Sequence, residues 1–188
     1  MNWTHYVADL ADCLGRMEVS DRSGVAVDLE EAFALLLGCA QTARASKATV
    51  FFVGNGASAS IASHMAADMN KNGKVRTEVF TDLALMTAVA NDIGYEQVYA
   101  EPLRRKMNPG DVLLGISSSG NSPNILNAVQ TARELGGLVI TLSAMRPDNA
   151  LRLSGDLNFY VPATTYGMAE SAHATVLHHW IDRLVAAQ

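Results

Sequence analysis

The stretch GISSSGNSPNIL, residues 115–126, joins an apolar run to a loop of hydroxyl and amide side chains and then to the start of a helix. Residues 112–116 supply the apolar side chains expected of a buried strand. Ser122 is a good N-cap, and Pro123 suits the first helical position because its missing N–H costs nothing there. The stretch therefore predicts a strand–loop–helix unit.

The hydroxyl groups of Ser117, Ser118 and Ser119 come a few residues before this helix start, at the beginning of the loop. A helix N-terminus has free N–H groups and the positive end of the helix dipole, so it attracts anions. Three consecutive hydroxyls there indicate a phosphate ester that is held without a strong positive charge. The alternative is a serine-rich turn that only caps the helix.

The composition excludes several classes of protein. The 188 residues fit one domain, and 49% hydrophobic against 18% charged residues support a large core. A net charge of −5 without a long basic run argues against nucleic-acid binding. The first residues do not resemble a signal peptide, and no apolar run is long enough to predict a membrane span. The two cysteines, Cys13 and Cys39, are expected to be reduced, which predicts a cytoplasmic protein.

Predicted strands and helices alternate through the middle of the chain. Helices are predicted at 1–17, 26–46, 58–71, 82–91, 95–106, 123–135, 148–153 and 168–186, and strands at 48–54, 76–80, 111–116, 137–143 and 157–161. SDRSG, residues 20–24, is interpreted as the break between the first two helices. The pattern predicts an α/β fold, a three-layer αβα sandwich with a central parallel sheet.

One domain is expected to span residues 1–188, with N-terminal helices in 1–46 and the α/β core in 47–188. In such sheets ligands bind beyond the carboxyl ends of the strands. The polar loops after Val53 and after Ile116 both belong at that edge.

The first of these loops opens GNGASASIASHMAAD, residues 54–68. Its glycines allow a tight turn and a close approach of a ligand to the backbone, but the pattern is not that of a dinucleotide-binding loop. Further along, His64 and Asp68 are four residues apart and share one face of the predicted helix. They could bind a metal ion or form a plain surface pair.

The last predicted helix contains Glu170, His173, His178 and His179. One broad face of it could present Glu170 with either His173 or His178. The alternative is an amphipathic helix with partly exposed imidazoles. Asn91 and Asp92, at a predicted break between two helices, could reach a sugar hydroxyl or form a turn.

Together these motifs resemble the SIS (sugar isomerase) domain and, within it, the phosphoheptose isomerases. The family shows a GNGGSA turn followed by a histidine and a glutamate on one helix, an ND turn, an ISTSGNS loop and a Q-E-x-H-x4-H pattern in the last helix. This chain has GNGASA with His64 and Asp68, then Asn91-Asp92, ISSSGNS at 116–122, and E-S-A-H-x4-H from Glu170 to His178. The motifs follow the family's order over nearly the whole chain.

The resemblance implies a flavodoxin-like SIS fold and an aldose–ketose isomerase. It would convert sedoheptulose 7-phosphate to D-glycero-D-manno-heptose 7-phosphate through an enediol, in bacterial heptose biosynthesis. The substrate would be bound by Ser117, Ser118, Ser119 and Ser122 around the phosphate, and by Asn55, Gly56, Ala57, Ser58, Asn91, Asp92 and Glu170 elsewhere.

The resemblance also implies one Zn²⁺ per subunit, held by His64, Asp68, Glu170 and His178. Asp68 and His178 are our hypothesis for the catalytic acid and base. Three positions depart from the family: Ala57 replaces a glycine, Asp68 a glutamate and Glu170 a glutamine. The two neutral and two anionic ligands would balance a divalent ion.

Helix geometry restricts how these ligands can meet. Glu170 and His178 are eight residues apart, which is about 12 Å along a regular helix, whereas zinc–ligand bonds are about 2 Å long. Both can reach one ion only if Glu170 lies at or before the helix start; otherwise the ligands come from different subunits. We therefore expect an oligomeric active site, in agreement with the homotetramer that is usual in the family.

Other functions remain open at this point. SIS domains also act as sugar-phosphate sensors, and one phosphoheptose-isomerase-like branch binds the bacterial replication initiator protein. That branch lacks the second helical histidine, so the presence of His178 favours an enzyme. The sequence does not identify the sugar, and an isomerase of another sugar phosphate is also compatible with it.

Overall fold

A six-stranded sheet forms the centre of the protein in the computed structural model, which describes residues 2–188. Its strands are β1 (Glu18–Asp21), β2 (Thr49–Gly54), β3 (Arg76–Val79), β4 (Val112–Ser117), β5 (Leu138–Ala144) and β6 (Leu157–Val161). Their order across the sheet is β1-β6-β5-β4-β2-β3. Strands β2 to β6 pair in parallel, whereas β1 pairs antiparallel with β6 at one edge.

Helices cover both faces of this sheet. They are α1 (Trp3–Gly15), α2 (Leu29–Ser46), α3 (Ala57–Lys71), α4 (Leu83–Asp92), α5 (Ala100–Lys106), α6 (Pro123–Glu134) and α7 (Tyr166–Ala186), with 3-10 turns at Tyr95–Gln97 and Ala150–Leu153. Apolar side chains of α2, α3 and α7 form a core on one face, and those of α4, α5 and α6 form a core on the other. The predicted α/β architecture, a sheet between two layers of helices, is confirmed.

Strand β1 was not predicted, and it makes the sheet mixed rather than purely parallel. It has four residues and buries only Val19, so its sequence carries no periodic signal. The Asp21 carboxylate accepts hydrogen bonds from the backbone N–H groups of Ser23 and Val25, which closes the turn after the strand. The segment 20–24 is therefore the end of a strand and its turn rather than a simple break between helices.

The helix predicted at 95–106 is divided in two. Tyr95–Gln97 forms a 3-10 turn, and α5 begins only at Ala100. Pro102 explains the division, since its ring would clash with the carbonyl of Val98 in a continuous helix and it has no N–H to donate. In the observed helix Pro102 lies in the first turn, where a backbone N–H has no helical partner.

The parallel pairing of β2 with β4 brings the two polar loops together. Gly54 at the end of β2 lies opposite Ile116 of β4, so residues 55–58 and 117–122 leave the sheet side by side. A Cβ on Gly54 would lie 2.7 Å from the Ser58 backbone, so glycine permits α3 to begin this close to the strand. No helix within residues 2–188 has the length and apolar character needed to cross a membrane.

Candidate active site

A cavity of about 300 Å³ opens where these two loops meet. Its walls include nine of the residues expected to bind substrate, together with Ile116 and Tyr166: Asn55, Gly56, Ala57, Ser58, Ser117, Ser118, Ser119, Ser122 and Glu170. The side chains that line it supply hydroxyl and amide groups and one carboxylate, and no lysine or arginine lines it within residues 2–188. An anion bound here would therefore be held by neutral donors.

The serine loop turns its hydroxyl groups toward one another. The Oγ atom of Ser117 lies 3.2 Å from that of Ser122 and 3.4 Å from that of Ser119. Ser122 occupies the N-cap position of α6, but its side chain makes no hydrogen bond to the helix backbone. The Ser118 hydroxyl is buried and has no hydrogen-bonding partner within residues 2–188. Hydroxyls that do not cap the helix favour a ligand-binding loop over a simple turn.

Gly120 fixes the shape of this loop. Its φ of +64° lies in the left-handed region, and a Cβ there would lie 1.9 Å from the Oδ1 atom of Asn149. The backbone N–H of Leu151 donates to the Gly120 carbonyl at 2.9 Å, and that of Ala150 donates to the Asn121 side chain at 3.0 Å. The loop is thereby held against the 3-10 turn Ala150–Leu153.

A second group of side chains lies farther along α3 and α7. Donor atoms of His64, Asp68 and His178 all lie within 4.8 Å of one another, the spacing of a possible metal site. The Nε2 atom of His64 is 3.5 Å from a carboxylate oxygen of Asp68, and the rings of His64 and His178 have centroids 5.4 Å apart. Both histidines are exposed and Asp68 is half-buried, so a ligand could reach the group from solvent.

Close packing of α3 on α7 brings these three residues together. Ala62 and Ala66 of α3 and Leu177 of α7 are buried in the same core cluster. Small side chains allow the two helices to approach closely. In the sequence, His64 comes two residues after Ala62, and His178 comes one residue after Leu177. Both imidazoles therefore lie at the rim of the contact between the two helices.

Glu170 is not part of this group within the chain. Helix α7 begins at Tyr166, so Glu170 lies in its second turn rather than at or before its start. Its side chain lines the serine-loop cavity, whereas His178 lies about 12 Å farther along the helix axis. The chain therefore presents three of the four expected metal ligands in one place.

Asn91 and Asp92 do not line the cavity either. They form the last turn of α4 rather than a break between helices, and both are exposed. The Asn91 Nδ2 group donates to the Asp92 carboxylate at 2.8 Å.

The three histidines of α7 have different environments. His178 joins the group with His64 and Asp68, and the ring of His179 packs edge-on against Phe33, 4.6 Å between centroids. His173 is fully buried, and its Nε2 atom lies 3.2 Å from the Ser143 carbonyl oxygen. Since a carbonyl only accepts, Nε2 carries the proton, and Nδ1 has no partner in the described part of the chain. The structure thus pairs His178, and not His173, with the residues of α3.

Two further polar residues of the site were not predicted. Asn124, at the second position of α6, forms two hydrogen bonds with Asn55, each 2.8 Å long. The Tyr99 hydroxyl donates to the carbonyl of Gly54, and burial raises the pKa of this phenol to about 12. The sequence places both in ordinary helical segments, and no local pattern marks them, because their partners are at least 45 residues away.

The buried His173 predicts a pH dependence of stability. Burial lowers its pKa from 6.5 to about 4 in the folded protein. As the pH falls below about 6.5, the unfolded chain binds a proton that the folded protein does not bind until about pH 4, so stability is lost across this window. The His173→Gln variant should lose about 2 kcal/mol less unfolding free energy than the parent between pH 7 and pH 5.

Urea unfolding at several pH values measures this difference, and His5→Gln, a change at an exposed histidine of α1, is the control. Parallel pH profiles for His173→Gln and the parent protein would contradict the assignment.

The tight fit of Gly120 against Asn149 predicts that a larger residue at position 120 weakens anion binding. The Gly120→Ala change forces the serine loop away from Asn149, so inorganic phosphate should bind at least about tenfold more weakly, the cost of losing one or more hydrogen bonds. Gly110→Ala is a matched control, since Gly110 also has a positive φ (+88°) but no atom within 4 Å of an added Cβ. Titration calorimetry with phosphate measures both, and equal affinity in the two variants would argue against an anion site at this loop.

Comparison with known proteins supports the same family. The SIS domain family matches residues 5–144, which is well over half of the chain. The phosphoheptose isomerase of Aromatoleum aromaticum is 30% identical over 190 aligned positions that cover 97% of this chain and 94% of that protein. The phosphoheptose isomerase of Paramagnetospirillum magneticum is 32% identical over 170 positions, or 87% of each protein.

A solved structure agrees with these sequence relatives. The phosphoheptose isomerase GmhA from Neisseria gonorrhoeae superposes with a TM-score of 0.82 at 26% identity, over 96% of both chains. The level of identity, the near-complete coverage and the shared fold, together with the serine loop and the His–Asp–His group, lead to one assignment. This chain belongs to the phosphoheptose isomerase family of SIS-domain proteins.

Proposed function

We propose that the protein is a sedoheptulose 7-phosphate isomerase of bacterial heptose biosynthesis. It interconverts this ketose phosphate and D-glycero-D-manno-heptose 7-phosphate by moving a proton between C1 and C2 through an enediol. The observation that carries the proposal is the convergence of His64, Asp68 and His178 in a chain of this family. A protein that only binds sugar phosphate would not need this group.

The serine loop is the anchor for the phosphate. The Ser117 hydroxyl lies within 3.4 Å of both the Ser119 and the Ser122 hydroxyl, and Ser118 adds a buried hydroxyl that has no partner within residues 2–188. The N-terminus of α6 adds backbone N–H groups and the positive end of its dipole. Anchoring the unreactive end of the sugar fixes the position of the reacting carbons, which lowers the entropic cost of reaction.

The distance from this anchor to the His–Asp–His group suits an extended substrate. Ala57 at the cavity and His64 are seven residues apart on α3, or about 10 Å along the helix. Glu170 and His178 are similarly separated on α7. An extended seven-carbon sugar can place its phosphate at the serine loop and its carbonyl end near the three side chains.

The His64, Asp68 and His178 side chains fit a zinc ion. Two imidazoles and a carboxylate are common zinc ligands, and catalytic zinc sites have three protein ligands and one open position. The donor atoms lie within 4.8 Å of one another, so small rotations of partly exposed side chains bring them to bonding distance. A bound zinc ion would act as a Lewis acid toward the carbonyl and hydroxyl oxygens at C1 and C2.

Asp68 and His178 are the acid and base of the proposed reaction. One of them takes the proton from the carbon next to the carbonyl, and the other donates a proton to the carbonyl oxygen, which becomes a hydroxyl. The two groups lie on facing helices and within 4.8 Å of each other, so both can reach the same pair of carbons. Asp68 is one methylene shorter than the glutamate usual in the family, so the substrate must lie correspondingly closer to α3.

We also propose that the active site is completed by a neighbouring subunit. Glu170 lies in the second turn of α7 and about 12 Å from His178, so it cannot join the metal group of its own chain. It can act as a ligand only if subunits share a site, which is consistent with packing through the N-terminal helices of residues 1–46 into a homotetramer. Activity that persists in full in a proven monomer would contradict this proposal.

The two cysteines, Cys13 and Cys39, are free thiols. Reduced cysteines are usual in cytoplasmic proteins, and we propose the cytoplasm as the site of the reaction.

The direct test is to incubate the purified protein with sedoheptulose 7-phosphate in heavy water and to follow the reaction by NMR. We expect the anomeric proton signal of the aldose to appear and deuterium to enter at C2, because the enediol exchanges its proton with solvent. A chelator should abolish turnover and added zinc should restore it. Fructose 6-phosphate, a shorter ketose phosphate, is the control for sugar length.

Two results would change the assignment. Binding of sedoheptulose 7-phosphate without turnover, in the presence of zinc, would identify a sugar-phosphate sensor or a regulatory protein of the kind that binds the replication initiator. Faster turnover of fructose 6-phosphate would identify an isomerase of another sugar phosphate.

Asp68 provides a second test of the mechanism. The Asp68→Asn change removes the basic carboxylate at nearly constant size, and we expect kcat to fall by roughly 100-fold or more. Asp182→Asn is the matched control, since Asp182 is an exposed carboxylate one turn beyond His178 on α7. Steady-state kinetics with zinc in excess measure both, and an Asp68→Asn protein with intact kcat would rule out the proposed role.

A further inference from the structure

Asn124 is a buried polar residue beside the cavity that the proposed reaction does not use. It lies at the second position of α6 and is 2% exposed. A buried carboxamide costs free energy unless its groups are hydrogen-bonded. Within residues 2–188 its side chain has one hydrogen-bonding partner, the side chain of Asn55. Packing alone would be served equally well by an apolar residue.

The two carboxamides face each other and exchange hydrogen bonds. The Nδ2 group of Asn55 donates to Oδ1 of Asn124, and Nδ2 of Asn124 donates to Oδ1 of Asn55, each at 2.8 Å. The Tyr95 hydroxyl donates to the same Asn55 oxygen at 3.4 Å. A carboxamide oxygen has two lone pairs and its nitrogen two N–H groups. Both acceptor positions of Asn55 are therefore occupied, and one N–H remains free.

The backbone around Asn55 is also held in place. The Tyr99 hydroxyl donates to the Gly54 carbonyl, and the Asn55 carbonyl accepts from the N–H of Ser58 in the first turn of α3. With its main chain fixed, Asn55 keeps only the rotation of its side chain. Asn124 removes that freedom. If the Asn55 carboxamide alone turned over, its Nδ2 would face Nδ2 of Asn124 and its Oδ1 would face Oδ1 of Asn124.

We propose that Asn124 is a positioning residue that orients the Asn55 carboxamide, so that its free N–H meets an acceptor oxygen of the bound sugar phosphate. The inference rests on the proposed function, because it assigns a role within the same site. In this proposal Asn55 touches the substrate, whereas Asn124 acts only through Asn55. Asn124 comes two residues after Ser122, so it also ties the serine loop to the turn after β2.

A kinetic double-mutant cycle tests this proposal. Asn124→Ala should lower kcat/KM by about tenfold, the value of one well-made hydrogen bond, and Asn55→Ala by at least as much. The double variant should be no slower than Asn55→Ala, because Asn124 has nothing left to orient. If the loss appears in kcat, the substrate oxygen that accepts from Asn55 is a reacting oxygen. If the loss appears in KM, that oxygen lies away from the reacting carbons.

Two further variants separate positioning from folding. Asn127→Ala removes another α6 carboxamide, one that donates to the Glu96 carbonyl at 3.0 Å, and should leave kcat/KM unchanged. Tyr95→Phe frees one lone pair of Asn55 at an exposed position, and should lower kcat/KM by a few-fold in the parent but not in Asn55→Ala. An Asn124→Ala effect that is as large in the Asn55→Ala background as in the parent would overturn the proposal.

The same cycle can be measured without substrate. Urea midpoints of the two single variants and the double variant report whether the side chains interact, and we expect a combined shift smaller than the sum. If sedoheptulose 7-phosphate neither binds nor reacts, the proposed function fails, and additive urea midpoints would then overturn the Asn55–Asn124 pairing separately.

Discussion

The parallel pairing of β2 with β4 is the contact on which the site depends. It places the ends of two strands side by side, although about sixty residues separate them in the chain. Each strand is followed by a polar loop and then by a helix directed away from the sheet edge. The cavity walls, the N-termini of α3 and α6 and the Asn55–Asn124 pair all follow from this one adjacency.

The cavity offers an anion neutral hydrogen-bond donors rather than positively charged side chains. Lysine and arginine side chains are absent from its lining within the described part of the chain, and the one carboxylate there is that of Glu170. Hydroxyl groups, backbone N–H groups and a helix dipole are fixed before a ligand arrives, so little free energy is spent on ordering them. A ligand oxygen could satisfy the buried hydroxyl of Ser118, which has no partner among residues 2–188.

The second half of the site depends on a different contact, the packing of α3 on α7. Apolar and small residues bury the facing surfaces of the two helices, and the ionisable residues lie along the rim. A stable core thereby holds two exposed imidazoles and a half-buried carboxylate near one another at a modest cost in desolvation. The same helices carry cavity residues near their N-termini, so two helices link the proposed phosphate anchor to the group proposed to act on the sugar.

The sequence by itself determined the elements whose signals are local. The apolar runs predicted the buried strands β2, β4 and β5, the serine loop with Pro123 predicted the start of α6, and the spacing of His64 and Asp68 placed both on one helix face. Each of these depends on residues within a few positions of one another. The family motifs added the expected roles, since their order and spacing are also properties of the linear chain.

Only the tertiary structure decided which distant residues meet. It paired His178 with His64 and Asp68, kept Glu170 apart from them, buried His173, and joined Asn124 to Asn55. It also added β1, whose four residues form a strand because the edge of β6 offers free hydrogen-bonding groups. Periodicity reports which face of an element is buried, but not what that face is buried against. Those partners are set by the packing of whole helices and strands, and no window of the sequence contains both sides of the contact.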